Sequence, residues 1–190
     1  MPDLPEPNTV VVTREGWRLG LRPVRPDDAA ALVDMARRST AEDLRFRFFS
    51  TIKPDLGPLV VALADFDHDR QIAAAAYDPQ SPAADREILG VVRLTWGDGR
   101  RRAEFAIMVR SDLKGHGLGH VLIDEMLGWA VRLGIDRVDG EVMAENSHML
   151  QMVRACGGVV EGRGGDFRTV RVAFDLGSRL APAPGSLGAS

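Results

Sequence analysis

The stretch Val109-Arg110-Ser111-Asp112-Leu113-Lys114-Gly115-His116-Gly117-Leu118-Gly119 joins two segments of different period. Before it, Arg102–Val109 (RAEFAIMV) reads as a strong strand. After it, Leu118, Val121, Leu122, Met126, Trp129, Ala130 and Leu133 recur at helical spacing, which predicts a helix over 117–133 closed by Gly134. Gly115, Gly117 and Gly119 allow the backbone to turn sharply and to approach a ligand closely. A helix start leaves its first N–H groups unpaired and carries positive dipole potential. Together these features predict an anion site suited to a pyrophosphate, with the charge of Lys114 beside it. Two common phosphate loops do not fit. A Walker A loop needs GxxxxGK[ST], which is absent, and a dinucleotide fingerprint needs GxGxxG where this chain has GxGxG.

Working outward, Val10–Val12 and Trp17–Leu21 read as strands with a turn at Glu15-Gly16. Pro26-Asp27-Asp28 opens a helix to about Arg38, with Ala29, Leu32, Val33 and Ala36 on one stripe. Thr40 three residues before Asp43 predicts an N-cap for a second helix over 41–49. A third helical stretch follows Pro58, over 59–63. Residues 71–77 and 87–95 read as strands. Beyond the long helix come a strand at 137–142, a short helix at 146–155 and strands at 159–162 and 167–174. This order predicts an α/β (α+β) layer, with a mixed and mostly antiparallel sheet of about six or seven strands and helices on both faces. A regular doubly wound βαβ array does not fit it.

The chain has 190 residues, which suits one domain. We expect residues 1–9, with three prolines, to be disordered, the packed domain to span 10–176, and 177–190 to form a flexible tail or an interdomain linker. Its 24 basic and 27 acidic residues give a net charge of −3, which argues against nucleic-acid binding through a broad basic field. One cysteine, Cys156, excludes an intrachain disulfide and a multi-cysteine metal cluster. The four histidines lack zinc-ligand spacing, so no metal is expected. No apolar run reaches membrane-span length and no signal peptide is evident, so we expect a cytoplasmic protein that does not engage the membrane. Of the 24 basic residues only Lys53 and Lys114 are lysine.

The loop resembles motif A of the GCN5-related N-acetyltransferases (GNAT), Gln/Arg-x-x-Gly-x-Gly/Ala, read here from Lys114 to Gly119. Downstream, Asn146 to Gly158 resembles the family's Asn-x-x-Ala-x-x-Leu-Tyr-x-x-x-Gly-Phe segment. Asp43-Leu44-Arg45-Phe46-Arg47-Phe48-Phe49-Ser50 and Ala103–Val109 resemble segments of the bacterial Pat-type protein lysine acetyltransferases. Phe46, Phe48 and Phe49 we assign to core packing.

The resemblance implies the GNAT fold and acetyl-CoA as co-substrate. It implies Glu104 as the general base, the thioester carbonyl near the N–H of Met108, and pantetheine along Met108, Val109 and Arg110. It places the pyrophosphate on Lys114, Gly115, His116, Gly117, Leu118 and Gly119, and puts Asn146 beside the pantetheine arm or a neighbouring strand. Asn146 also reads as a plain helix N-cap. The implied activity is transfer of acetyl to the Nε of a protein lysine. The implied target is an AMP-forming acyl-CoA synthetase, and the domain is expected to be fused to others in a longer chain. Acetylation of a small amine, and a non-catalytic acyl-CoA-sensing domain, are the alternatives. The chain departs from the family pattern twice. Lys114 stands where Gln or Arg is usual, and Val153 stands where the family carries a general-acid tyrosine.

Overall fold

The computed structural model describes residues 9–49, 69–82, 87–99 and 101–177. The readings of residues 1–8, 59–63 and 178–190 lie outside them.

Eight strands form one sheet: β1 (Thr9–Val12), β2 (Arg18–Pro23), β3 (Gln71–Tyr77), β4 (Gly90–Trp96), β5 (Arg102–Val109), β6 (Arg137–Met143), β7 (Val159–Arg163) and β8 (Thr169–Asp175). Their order is β1-β2-β3-β4-β5-β6-β8-β7. All neighbours are antiparallel except β5 and β6. All eight stretches that read as strands join this one sheet, above the six or seven expected for it. The two edge strands, β1 and β7, are short and largely exposed.

The described helices are α1 (Ala29–Arg37), α2 (Ala41–Phe48), α3 (Leu118–Arg132) and α4 (Ser147–Ala155). Thr40 caps α2 as expected, its Oγ1 accepting from the Asp43 N–H at 3.2 Å. The sheet separates two cores. Strand alternation sends Ala103, Phe105 and Ile107 of β5 toward α3, where Leu122, Ile123, Met126 and Trp129 are fully enclosed. The opposite face of β5 carries Glu104, Ala106 and Met108. Met108 packs there with Leu32, Met35 and Ala36 of α1 and Leu44 of α2. The chain thus has a loop-and-α3 side and an α1/α2 side, and β5 has residues on both.

A buried ion pair ties the α1/α2 side together. The Arg22 guanidinium donates to both carboxylate oxygens of Asp28 at 2.6 Å, and Asp28 also accepts from the Arg25 N–H at 2.7 Å. The hydrogen bonds from Arg22 to Asp28 hold the guanidinium above its usual pKa range, despite burial.

Candidate active site

The site begins where β5 and β6 part. Their parallel pairing covers only Arg102↔Arg137, Ala103↔Val138 and Glu104↔Asp139. Past Glu104 the strands diverge, which leaves the β6-facing edge of β5 without a ladder partner. Strand parity decides which backbone groups face that gap. The Arg110 N–H donates to Leu89 O at 2.9 Å, on the β4 side. Residues two apart point the same way, so Met108, Ala106 and Glu104 also use their N–H and C=O groups toward β4. The groups facing the gap belong to Phe105, Ile107 and Val109. The structure therefore corrects the backbone assignment: the Met108 N–H lies in the β4 ladder, and the N–H groups of Ile107 and Val109 line the gap.

The gap opens into a cleft of about 280 Å³, near the lower end of ligand-pocket size. Its wall includes most of the expected residues: Glu104, Met108, Val109, Lys114, Gly115, Gly117, Leu118, Gly119 and Asn146. His116 and Arg110 are outside that wall. His116 stacks near Trp17, ring centroids 4.1 Å apart, and its Nδ1 lies 3.2 Å from Leu113 O. Arg110 is tied by its Nη1 to Glu87 and by its Nε to Asp112, each at 2.7 Å. Both brace the loop from outside.

The three glycines do different work. Gly115 has φ +81° in open space, so it serves the turn alone. Gly117, at φ +80°, also lets the loop pass under the β1–β2 turn: a Cβ there would lie 2.1 Å from Glu15 Oε2. Gly119 admits Met152 of α4, whose Sδ would be 2.4 Å from an added Cβ. Close approach therefore includes protein neighbours as well as a ligand. The loop still presents the first N–H groups of α3 to the cleft, the arrangement that receives a pyrophosphate.

Lys114 does not point at the cleft as a lone charge. Its Nζ is paired with the Asp43 carboxylate, which also accepts from Ser111 Oγ and Thr40 Oγ1. Burial alone would raise the Asp43 pKa, but the hydrogen bonds from Lys114 and Ser111 outweigh it and hold Asp43 below its ordinary value. Asn146 caps α4, accepting from the Met149 N–H at 3.1 Å. Its structural reading is thus realised on the cleft wall.

Glu104 is exposed on the α1/α2 face of β5, not enclosed by apolar neighbours. Its neighbours include two arginines that sequence reasoning missed. Arg93 of β4 sits opposite Ala106, on the same sheet face and diagonal to Glu104. Arg47 reaches over that face from α2. The charge of Glu104 acts favourably on both. Desolvation and the repulsion of Arg93 push the Arg47 guanidinium down to about 10. The Nε atoms of both arginines are buried without a hydrogen-bond partner. Phe46 and Phe49 line the same cleft, which corrects their assignment to the core; only Phe48 packs against it. Phe49 ends α2 with φ +54°, an uncommon conformation for a bulky residue, and it is exposed at the cleft.

Two groups are set aside by geometry. The thiol of Cys156 is pushed up to about 11 by burial, with the Asp124 charge adding to it, and it is not on the cleft wall. An acyl-cysteine route therefore has no nucleophile here. Tyr77, the one tyrosine, lies on β3, two strands from β5, and Val153 is fully buried. Among the described residues, no His/Cys/Asp/Glu cluster has metal-binding geometry, and no helix is long and apolar enough to cross a membrane.

A sheet that parts beside a glycine loop at a helix start is arranged to hold an elongated donor that carries a pyrophosphate. The family profile "Acetyltransferase (GNAT) domain" matches residues 18–159, so the chain belongs to the GNAT acetyltransferases. It is an acetyl-CoA-dependent N-acetyltransferase domain. Among solved structures, the chain is similar to the GNAT domain of S. lividans PAT. The identity is 25%, covering 89% of this chain and 97% of that one, with a TM-score of 0.77. Spermidine N-acetyltransferase from Vibrio cholerae, in complex with CoA and spermine, shares the fold at 20% identity, 86% and 98% coverage and a TM-score of 0.68. A cAMP-binding acyltransferase from Mycobacterium smegmatis shares it at 24% identity and a TM-score of 0.59. This chain is covered over 94% of its length and spans 50% of that protein.

Proposed function

We propose that the protein transfers acetyl from acetyl-CoA to the Nε of a protein lysine, with Glu104 as general base. The observation that carries this reading is the position of Glu104. It is the last residue of β5 paired with β6, so its side chain stands at the mouth of the gap, on the face turned to α1 and α2. The donor and the base thus approach one point from different sides of β5.

A free lysine has a pKa near 10.4, so roughly one part in a few thousand is neutral at pH 7. The Glu104 carboxylate accepts the amine's proton, directly or through one water. The neutral nitrogen attacks the thioester carbon, the new C–N bond forms, and the C–S bond breaks. The N–H groups of Ile107 and Val109 face the developing oxyanion, and donors so placed are worth about 3 kcal/mol in other acyl transfers. No tyrosine hydroxyl reaches the cleft among the described residues, so water supplies the proton to the coenzyme A thiolate. The N–H groups of Gly115, Gly117, Leu118 and Gly119 hold the pyrophosphate, and Asn146 borders the pantetheine arm.

The likeness to the S. lividans PAT domain supports a protein lysine as acceptor. On that reading the target is an AMP-forming acyl-CoA synthetase and the domain works beside others in a longer chain. The single free cysteine fits a cytoplasmic setting. The test is transfer from labelled acetyl-CoA to such a synthetase, read by mass spectrometry of the modified lysine. Loss of labelling in Glu104→Gln with coenzyme A affinity retained supports the assignment. Full activity in that variant removes Glu104 as the base. Acetylation of free amines in preference to the synthetase moves the acceptor to a small molecule.

A further inference from the structure

Arg47 and Arg93 stand together on the acceptor side of β5, each with a buried Nε that has no hydrogen-bond partner. Both line the cleft beside Glu104. Among the described residues no carboxylate comes within 4.0 Å of either guanidinium, and both Nε atoms are buried without a partner. Glu104 acts on both of them at longer range, and Glu141 also lines the cleft, so neither guanidinium has a carboxylate of its own among the described residues. Elsewhere this chain matches its enclosed arginines: Arg22 with Asp28, and Arg110 with Glu87 and Asp112. A guanidinium presents a planar fork of donors that suits a carboxylate. Two such forks side by side, half-desolvated and repelling each other, form a receptor for an anion.

We infer that Arg47 and Arg93 form a carboxylate-binding subsite, so that the acceptor amine enters with an acidic group beside it. This rests on the lysine-acetyltransferase reading and names its substrate class: a lysine with an aspartate or glutamate as close neighbour. The carboxylate belongs to the acceptor because the pair shares a sheet face with Glu104. The amine that delivers its proton to Glu104 places its own flanking groups against the guanidiniums. A polyamine has the wrong sign for this position, since its second ammonium would face the two guanidiniums.

The experiment uses two lysine peptides that differ only in Asp against Asn beside the lysine. Each is titrated calorimetrically into the protein saturated with coenzyme A, and acetyl transfer from acetyl-CoA is timed in parallel. The Asp peptide is expected to bind about tenfold more tightly. That preference should fall below about twofold in Arg93→Gln and in Arg47→Gln, two variants that strand no carboxylate partner. Equal binding of the two peptides by the unmodified protein overturns the subsite, whether or not transfer occurs. A preference kept in both variants overturns it as well. Preference in binding with no transfer upholds the subsite and removes the lysine-acetyltransferase reading; transfer without preference does the reverse. A last arm replaces acetyl-CoA with succinyl-CoA. Faster transfer of succinyl, abolished by the same substitutions, assigns the carboxylate to the acyl chain and overturns its place on the acceptor.

Discussion

Two enclosed arginine groups lie on one side of the same sheet, and they differ in what faces them. Arg22 is 8% exposed and meets Asp28 through two hydrogen bonds, with Asp28 further fixed by the Arg25 N–H. Arg47 and Arg93 are half-buried, adjacent, and unmatched at their Nε atoms. The first arrangement closes on itself and holds the entry to α1. The second is complete only with a ligand. The teaching is that a charge balanced inside the chain reports on folding, while a charge left unbalanced at a cleft reports on function.

The largest expected effect comes from the one carboxylate that acts on the unmatched pair. Glu104→Gln should lower kcat by about 10²- to 10⁴-fold in steady-state assays, with little change in coenzyme A affinity. It would also remove the carboxylate that acts on both arginines. Next, Asp28→Ala strands Arg22 in the interior and should cost about 3–5 kcal/mol in chemical denaturation. A cost under 1 kcal/mol would break the contrast between the two groups.

Arg47→Met should act in the opposite direction. Removing a desolvated, unpaired charge should stabilise the unliganded protein by about 1–3 kcal/mol near neutral pH. The sign follows from its depressed pKa. The folded state disfavours the protonated guanidinium, so the penalty is present below about 10 and is relieved as pH rises through it. The stability gap between variant and parent should therefore narrow above that pH, as thermal melts at a series of pH values will show. The smallest effect concerns a matched pair at the cleft edge. Lys114→Met should weaken coenzyme A binding by up to about fivefold in calorimetry. An unchanged Kd would mean that the charge of Lys114 is spent on Asp43.

Much of this was legible in the sequence for identifiable reasons. The passage from Arg102–Val109 through the glycines into the helix after Gly117 changes hydrophobic period abruptly, so its class of structure is written locally. The Thr40 cap and the closing Gly134 follow equally local chemistry. Which N–H groups of β5 face the gap was not legible. Parity depends on which neighbour hydrogen-bonds to each side, and the pairing of Arg110 with Leu89 is a long-range fact. Lys114 reads as a loop residue from the sequence, but its pairing with Asp43 joins residues 71 positions apart. Arg47 and Arg93 were hidden differently. In a chain with 22 arginines, any two of them carry no signal until the fold makes them neighbours.

The short junction between β5 and β6 has a mechanical consequence. Five strands lie on one side of it and three on the other, and only three residue pairs bridge them in the ladder. A donor molecule seated in the opening touches both leaves, so its binding energy is also adhesive energy for the sheet. Saturation at a hundred times Kd would add about 2.7 kcal/mol to the folded state. Product release removes that contribution at the place where the next donor must enter.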